Sequence, residues 1–286
     1  MGLRLPIAAI TDEFSTDLET AAPAMAVIGM TGAELRVLWG KNVMDLSDAE
    51  LERAKAILDS HGLKVAGIAS PLLKCALPDS PPLDQRFEHD VFASKHTYED
   101  QPRLLRRAAE IAHRMGTTLI RVFSFWRTVD TTSCIGRVTE ELRKFAEEAA
   151  REGVVLGLEN EHACQAGTAA EVARFLRAVR HPNLKVVWDP ANAYVAGENP
   201  FPDGFDLLEP GSVVHVHAKD CRMRGGKPAW TPLGTGSIDW KGQLIALAEA
   251  GYGGYVSLET HWGGPGGDKL QASTICGWNL TGLLSW

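Results

Sequence analysis

The sequence has few cysteines and little clustered positive charge. Its five cysteines are scattered without a C-x-x-C pair, so neither a thiolate zinc site nor a disulfide framework is predicted, and we expect ordinary buried or incidental thiols. Asp and Glu outnumber Lys and Arg by 36 to 29, which gives a net charge of -7. Because phosphate polymers and anionic membranes attract clustered Lys and Arg, neither nucleic acid nor a membrane is an expected partner.

Long hydrophobic runs and linkers are missing as well. No uninterrupted apolar stretch approaches bilayer length, and Met1 to Pro6 lacks the basic segment and apolar run of a secretory signal, so we expect a cytoplasmic protein. No Gly/Ser-rich linker divides the 286 residues, and 45% hydrophobic side chains can form one large core. The sequence predicts a single domain over residues 1–286 and leaves a homo-oligomer open.

Short apolar or β-branched runs alternate with longer segments of helical periodicity. This alternation indicates repeated βα units, of which eight can be counted. The series ends in a helix and no G-x-G-x-x-G follows the first strand, so we predict an α/β fold that is a single (β/α)8 TIM barrel, with an open doubly wound sheet as the alternative. The predicted strands are 7–14, 33–39, 64–70, 119–125, 154–159, 184–189, 213–217 and 255–259. The predicted helices are 18–28, 47–60, 101–115, 134–152, 169–179, 205–208, 240–250 and 270–284.

The segment at about 71–100 is too long for a simple connection, and it contains Pro78, Pro81 and Pro82. Long loops inside a compact domain are usually functional. We therefore predict a long loop or lid here, with a fixed cap or a subunit contact as the alternative.

Acidic and imidazole side chains stand at the ends of the last four predicted strands, namely Glu159, Asp189, His217 and Glu259. Because the carboxyl ends of barrel strands meet on one face, these side chains are expected to lie together. Clustered buried carboxylates repel one another unless a cation compensates them, so the cluster predicts a divalent metal site. Three oxygens and one nitrogen suit Mn²⁺, Mg²⁺, Co²⁺, Fe²⁺ or Zn²⁺, and the lack of thiolate argues against a structural zinc site.

These residues resemble the xylose-isomerase-like barrel superfamily of sugar phosphate isomerases and epimerases, which includes tagatose 3-epimerase, hydroxypyruvate isomerase, inosose dehydratase and endonuclease IV. The resemblance covers most of the chain, and its clearest parts are Leu158-Glu159-Asn160, Trp188-Asp189-Pro190-Ala191-Asn192, His215-Val216-His217-Ala218-Lys219-Asp220, the run from Pro232 to Asp239 and the run from Gly251 to Glu259. It implies one divalent ion, Mn²⁺ in the first place, held by Glu159, Asp189, His217 and Glu259. The second His of the His-x-His pair is the implied ligand, and His215 is expected beside it.

The sequence departs from two members of this superfamily. The 3-epimerases have a His three residues after the metal-binding Asp, whereas this chain has Asn192. Endonuclease IV binds three metals through further histidines on earlier strands, whereas the third and fourth strands here end at Ser70 and Ser124. One metal is therefore expected, and DNA repair is disfavoured.

Other polar groups fall near the same predicted face. We predict that they contact substrate: Arg36, Lys74, Ser124, Asn192, His215, Lys219 and Asp220. Gly234, Gly236 and the glycines at 263–267 follow strands seven and eight, where barrels often bind phosphate, although glycine-rich loops are also ordinary connections.

The predicted chemistry is proton transfer next to a carbonyl of a small polyhydroxylated substrate, through a metal-stabilised enediolate, with Glu159 and Glu259 as the catalytic acid/base pair. Return of the proton at another carbon or on the other face makes the protein a sugar or sugar phosphate isomerase/epimerase. Loss of a β-leaving group makes it a dehydratase or lyase on a keto-sugar or keto-cyclitol, and this is the main alternative. A non-catalytic sugar-binding barrel is the alternative of a different class.

Overall fold

Eight parallel strands form a closed barrel in the computed structural model, which describes residues 3–87 and 96–285. Each strand pairs with its neighbours along the chain, and the first strand pairs with the last. The strands β1 to β8 are Ile7–Ile10, Gly32–Leu35, Lys64–Leu72, Leu119–Val122, Val155–Glu159, Leu184–Trp188, Val213–Ala218 and Val256–Leu258. The predicted TIM barrel is confirmed.

One main α-helix follows each strand. The helices α1 to α8 are Leu18–Ile28, Asp48–Ser60, Gln101–Met115, Ile135–Arg151, Ala169–Val179, Pro190–Val195, Trp240–Glu249 and Lys269–Leu284. Local sequence explains their bounds: α2 begins with a capping box between Ser47 and Glu50, and α3 ends at Gly116, which adopts the left-handed conformation that glycine tolerates.

The helix after β6 differs from the prediction. A helix was predicted at 205–208, but the structure has α6 directly after the strand and only a 3-10 turn at Phe205–Leu207. Asp189 caps α6 by accepting a hydrogen bond from the Asn192 backbone N–H, and Pro190 occupies the first helical position, where its missing N–H is not needed. A predicted metal ligand therefore also begins a helix.

Two short hairpins extend the barrel above β2 and β7. One pairs Val37–Leu38 with Lys41–Asn42, and the other pairs Asp220–Arg224 with Lys227–Thr231. Neither was predicted. Both follow the carboxyl ends of their strands and enlarge the face where the site lies.

The long segment after β3 packs against the loops above β4 and β5 where it is described. Leu83 bridges to Thr128, and Leu83 and Phe87 pack on a small apolar cluster that contains Phe123 and Trp126. Residues 88–95, which belong to the predicted lid, lie outside the described residues.

The main core fills the space between strands and helices, and it contains large buried side chains such as Trp188, Trp240 and Phe175. All five cysteines are buried and none forms a disulfide, as expected. Among the helices that the structure describes, none is long and apolar enough to cross a membrane.

Candidate metal centre

The four predicted ligands lie together at the carboxyl ends of β5 to β8. Glu159, Asp189, His217 and Glu259 are all buried, and one ligand atom from each lies within 4.8 Å of the others. Parallel strands explain this proximity, because each residue occupies the same end of its own strand. The structure thus forms a cluster of three carboxylates and one imidazole.

The cluster has the chemistry of a cation site. Among the described residues, Glu159 Oε2 and Asp189 Oδ2 are buried and accept no hydrogen bond of good geometry, and each lies beside a cation: Arg121 Nη1 at 3.2 Å and Lys219 Nζ at 2.7 Å, respectively. Burial, against the opposing charge of Lys219, raises the pKa of Asp189 to about 6. Carboxylate oxygens of this kind gain from a divalent ion, and an oxygen-rich set with one imidazole fits Mn²⁺, Mg²⁺ or Zn²⁺.

The two ring nitrogens of His217 face opposite ways. Nδ1 lies 3.1 Å from Glu159 Oε1 and 3.5 Å from Glu259 Oε2, whereas Nε2 lies 3.1 Å from Glu34 Oε1. A proton on Nε2, shared with Glu34, leaves the lone pair of Nδ1 directed at the carboxylate cluster. Nδ1 is therefore the nitrogen that can bind an ion.

Glu34, the third residue of β2, was not predicted as part of the site. Its carboxylate is buried and contacts His215 Nε2 at 2.9 Å, the Ser257 hydroxyl at 2.7 Å and His217 Nε2. Although burial opposes it, the charges of His217 and His215 hold the pKa of Glu34 well below its usual range. A carboxylate in an apolar strand was the available signal, because a buried carboxylate requires partners.

A cleft of about 380 Å³ opens above the cluster. Glu159 and Glu259 belong to its lining, together with Asp12, Glu13, Thr16, Arg36, Val37, Asn42, Ala69, Pro71, Lys74, Arg121, Glu161, Thr260, His261, Trp262, Gly263 and Lys269. Arg36 connects one wall to the cluster, since its guanidinium contacts Asp12 Oδ2 at 2.8 Å and Glu259 Oε1 at 3.1 Å. Asp12, Glu13 and Glu161 were not among the predicted site residues; Asp12 and Glu13 lie in a 3-10 turn after β1, and Glu161 lies two residues after Glu159.

Four of the predicted substrate contacts lie at or beside this cleft. Arg36 and Lys74 line it. Lys219 and Asn192 lie below and contact the clustered carboxylates: Lys219 Nζ is 2.7 Å from Glu259 Oε2, and Asn192 Nδ2 donates to Glu159 Oε1 at 3.3 Å.

Ser124, His215 and Asp220 do not line the cleft, because internal hydrogen bonds engage their side chains. Ser124 Oγ accepts from the Ala166 backbone N–H, and His215 contacts Glu34. Asp220 accepts from backbone N–H groups of the loop at 233–238. The structure gives these three residues positions that support the loops and strands around the site.

Comparisons with known proteins identify relatives of this fold. A family model described as xylose isomerase-like TIM barrel matches residues 23–275. No curated protein matches the chain significantly.

Three solved structures illustrate the range of these relatives. IolI protein with a bound zinc atom has a TM-score of 0.73 and 16% identity, over 98% of this chain and 97% of that one. The probable 3-DHS dehydratase AsbF from Bacillus anthracis has a TM-score of 0.70 and 18% identity, over 95% and 97%. The 3-keto-D-glucoside 4-epimerase YcjR from E. coli has a TM-score of 0.63 and 18% identity, over 97% and 99%.

Proposed function

The chain belongs to the xylose isomerase-like TIM barrel family, and on that premise we propose that it is a divalent-metal-dependent isomerase or epimerase of a small polyhydroxylated carbonyl substrate. The observation that carries the proposal is the buried cluster of Glu159, Asp189, His217 and Glu259 at the floor of an open cleft. An epimerase among the structural relatives supports the reaction class.

The four clustered residues would hold one ion, which supplies polarisation of a substrate carbonyl when it is bound. A relative with a bound zinc atom supports a divalent ion. Mn²⁺ remains the first choice, because the donor set is mostly oxygen and includes no thiolate.

Glu159 and Glu259 are the proposed proton carriers. Glu159 ends β5, Glu259 follows β8 and both line the cleft, so each would reach a substrate bound there. Although burial opposes it, Lys219 and the nearby histidines hold the pKa of Glu259 well below its usual range, which keeps it in the ionised form that a general base requires but weakens its basicity. Removal of a proton by one carboxylate and its return by the other gives epimerisation, and return to the neighbouring carbon gives isomerisation.

A dehydratase or lyase acting on a keto-sugar or keto-cyclitol is the second candidate, supported by the likeness to a probable dehydratase. The same carboxylate would remove the same proton, and the β-hydroxyl would then leave as water after accepting a proton from the other carboxyl group. A non-catalytic sugar-binding barrel is disfavoured, because both proposed proton carriers line the cleft.

The deciding experiment is incubation of carbohydrates and keto-sugars in D₂O with Mn²⁺, followed by chelation and NMR. We expect deuterium at the carbon next to the carbonyl, together with an epimer or an isomer. An unsaturated product would favour the dehydratase instead. A protein that binds metal tightly but exchanges no proton in any substrate would overturn the proposal in favour of a binding barrel.

Glu34→Gln is expected to weaken metal binding about 10- to 100-fold, because a carboxylate that orients a metal-binding histidine contributes about this much. The amide keeps the volume but replaces one acceptor oxygen by a donor NH2 group, so it cannot accept hydrogen bonds from His215 and His217 through two oxygens as the carboxylate does. Calorimetric titration with Mn²⁺ measures the effect. Glu198→Gln is the matched control, since Glu198 is a partly buried carboxylate that caps α5. Equal affinity in Glu34→Gln and the wild type would contradict the role of Glu34.

We also propose that the segment at 71–100 covers the cleft when substrate is bound. Pro71 and Lys74 line the cleft, which brings the start of the segment to the site. Because loop closure excludes water from reactive intermediates, substrate is expected to slow tryptic cleavage after Arg86, whose side chain is exposed. Cleavage after Arg180, which precedes β6 at the other end of the barrel, is the internal control. Equal cleavage at Arg86 with and without saturating substrate would favour a fixed cap.

A further inference from the structure

We infer that the substrate of this cleft carries no phosphate group. This inference rests on the proposed function and concerns its substrate class, a neutral sugar or cyclitol. Three features of the structure support it: the loop after β7, the start of α8 and the pairing of the cations in the cleft.

The backbone N–H groups of the loop after β7 already bind a carboxylate of the protein itself. TIM barrels often bind phosphate with backbone N–H groups after strands seven and eight. Here the N–H groups of Gly234 and Gly236 donate to Asp220 Oδ2 at 3.0 and 2.9 Å, and that of Ile238 donates to Asp220 Oδ1 at 3.2 Å. Asp220 is only 2% exposed. These donors are therefore committed to an internal carboxylate.

The glycine in this loop serves the same carboxylate. A Cβ at Gly236 would lie 2.0 Å from Asp220 Oδ1, so only glycine allows the approach. The Gly-x-Gly pattern indicated a phosphate-binding loop when only the sequence was considered. In the structure, these glycines instead let the loop backbone approach the Asp220 carboxylate and donate hydrogen bonds to it. No donor among these three remains for a ligand.

The beginning of α8 is also occupied by negative charge. Asp268 caps this helix, since its Oδ1 accepts a hydrogen bond from the Gln271 backbone N–H at 3.0 Å. A helix N-terminus attracts anions, but a carboxylate already placed there satisfies the donor and repels a phosphate. Lys269, the neighbouring residue, lines the cleft, so this helix end lies at the cleft's rim.

The cations inside the cleft are paired with carboxylates. Arg36 contacts Asp12, Glu13 and Glu259. Lys74 lies 3.6 Å from Glu161, and Arg121 lies 3.2 Å from Glu159. Among the lining residues that the structure describes, Lys269 is the exception, and it is exposed beside Asp268. A phosphate of charge near -2 would have to displace one of these carboxylates or pair with Lys269, next to Asp268 at the rim.

The remaining lining suits an uncharged polyol. Trp262 is half-buried in the wall, and the ring of His261, next to it in the chain, lies 4.6 Å from that of Trp230. Aromatic faces pack against the C–H groups of a sugar ring, and the neutral groups of Thr16, Asn42 and Thr260 can bond its hydroxyls.

Saturation-transfer difference NMR on the Mg²⁺-loaded protein tests the inference without requiring turnover. The probes are ketopentoses and ketohexoses, each paired with its terminal phosphate monoester. We expect the free sugars to bind and each ester to bind at least about tenfold more weakly, since burying an unpaired charge opposes binding. An ester that binds as well as its free sugar overturns the inference, and so does binding of neither class at millimolar concentration.

Two variants and the D₂O exchange assay distinguish failure of this inference from failure of the proposed function. Asp268→Ser keeps a capping hydroxyl but removes the charge, and it should raise ester affinity relative to the free sugar several-fold. Asp239→Ser, the equivalent change at the cap of α7 outside the cleft lining, should leave this ratio unchanged. An unchanged ratio in Asp268→Ser contradicts the role assigned to that carboxylate. Free sugars that bind selectively but exchange no proton in D₂O leave the inference standing and overturn only the proposed function.

Discussion

His217→Ala is expected to remove stoichiometric binding of a divalent ion, with a loss of affinity above about 100-fold, whereas His215→Ala should cause a smaller loss. A metal ligand contributes more than a residue that only orients it, for which the loss is about 10- to 100-fold. His217 presents Nδ1 to the carboxylate cluster. His215 instead contacts Glu34, one step farther away.

Elemental analysis of dialysed, Mn²⁺-loaded samples measures this difference. His113→Ala is the control, because His113 lies on α3 outside the ligand cluster and its Nε2 contacts the Glu152 backbone carbonyl. Thermal unfolding of each variant separates metal loss from loss of the fold. Equal depletion in the two variants, or greater depletion in His215→Ala, would contradict the assignment of His217 as the ligand.

The proximity of the four clustered residues follows from the sequence once eight βα units are recognised. Glu159, Asp189, His217 and Glu259 each end a predicted strand, and parallel strands direct their carboxyl ends to one face. Local signals also fixed several helices: α3 matches its predicted residues, because its apolar face is strongly periodic and Gly116 ends it. Such signals depend only on residues that are close in the sequence, so helix bounds of this kind can be predicted from the sequence alone.

The role of Glu34 could not be predicted from local sequence signals. Its partners His215 and His217 are 181 and 183 residues away in the sequence. A Glu in an apolar strand indicates that a buried carboxylate needs partners, but it does not say which residues those partners are. Only the closure of the barrel, in which β1 pairs with both β2 and β8, places β2 near β7 and β8 and brings these groups together.

The unpredicted elements have more local causes. The sixth strand was predicted at 184–189 with no helix directly after it, although proline, here Pro190, is favoured at the first position of a helix. The hairpin above β7 turns at Gly225 and Gly226, both with positive φ, and a Gly-Gly pair is a recognised hairpin signal. These features were available in the sequence. The binding of the Asp220 carboxylate by backbone N–H groups could not be predicted from local sequence, because it requires the loop at 233–238 to fold back on the end of β7.

Glu159→Gln and Glu259→Gln are each expected to reduce turnover by at least about 10²- to 10⁴-fold, which is the contribution of a general acid or base. Glutamine keeps the side-chain volume and should leave the fold intact, but it cannot carry a proton at neutral pH. Weaker metal binding should add to the loss, because both residues belong to the ligand cluster. Activity is measured in the D₂O exchange assay on a substrate that the wild type converts.

Metal loss alone can imitate loss of a proton carrier, so turnover is measured at saturating Mn²⁺ with occupancy determined in the same samples. Glu161→Gln is the matched control, because Glu161 is a partly buried carboxylate that lines the same cleft but lies outside the four-residue cluster. Its turnover should fall much less than that of the other two. If metal-replete Glu159→Gln and Glu259→Gln both keep near wild-type turnover, the paired-carboxylate mechanism is wrong. Another base must then carry the proton, and Lys219, 2.7 Å from both Asp189 and Glu259, would be the first to test.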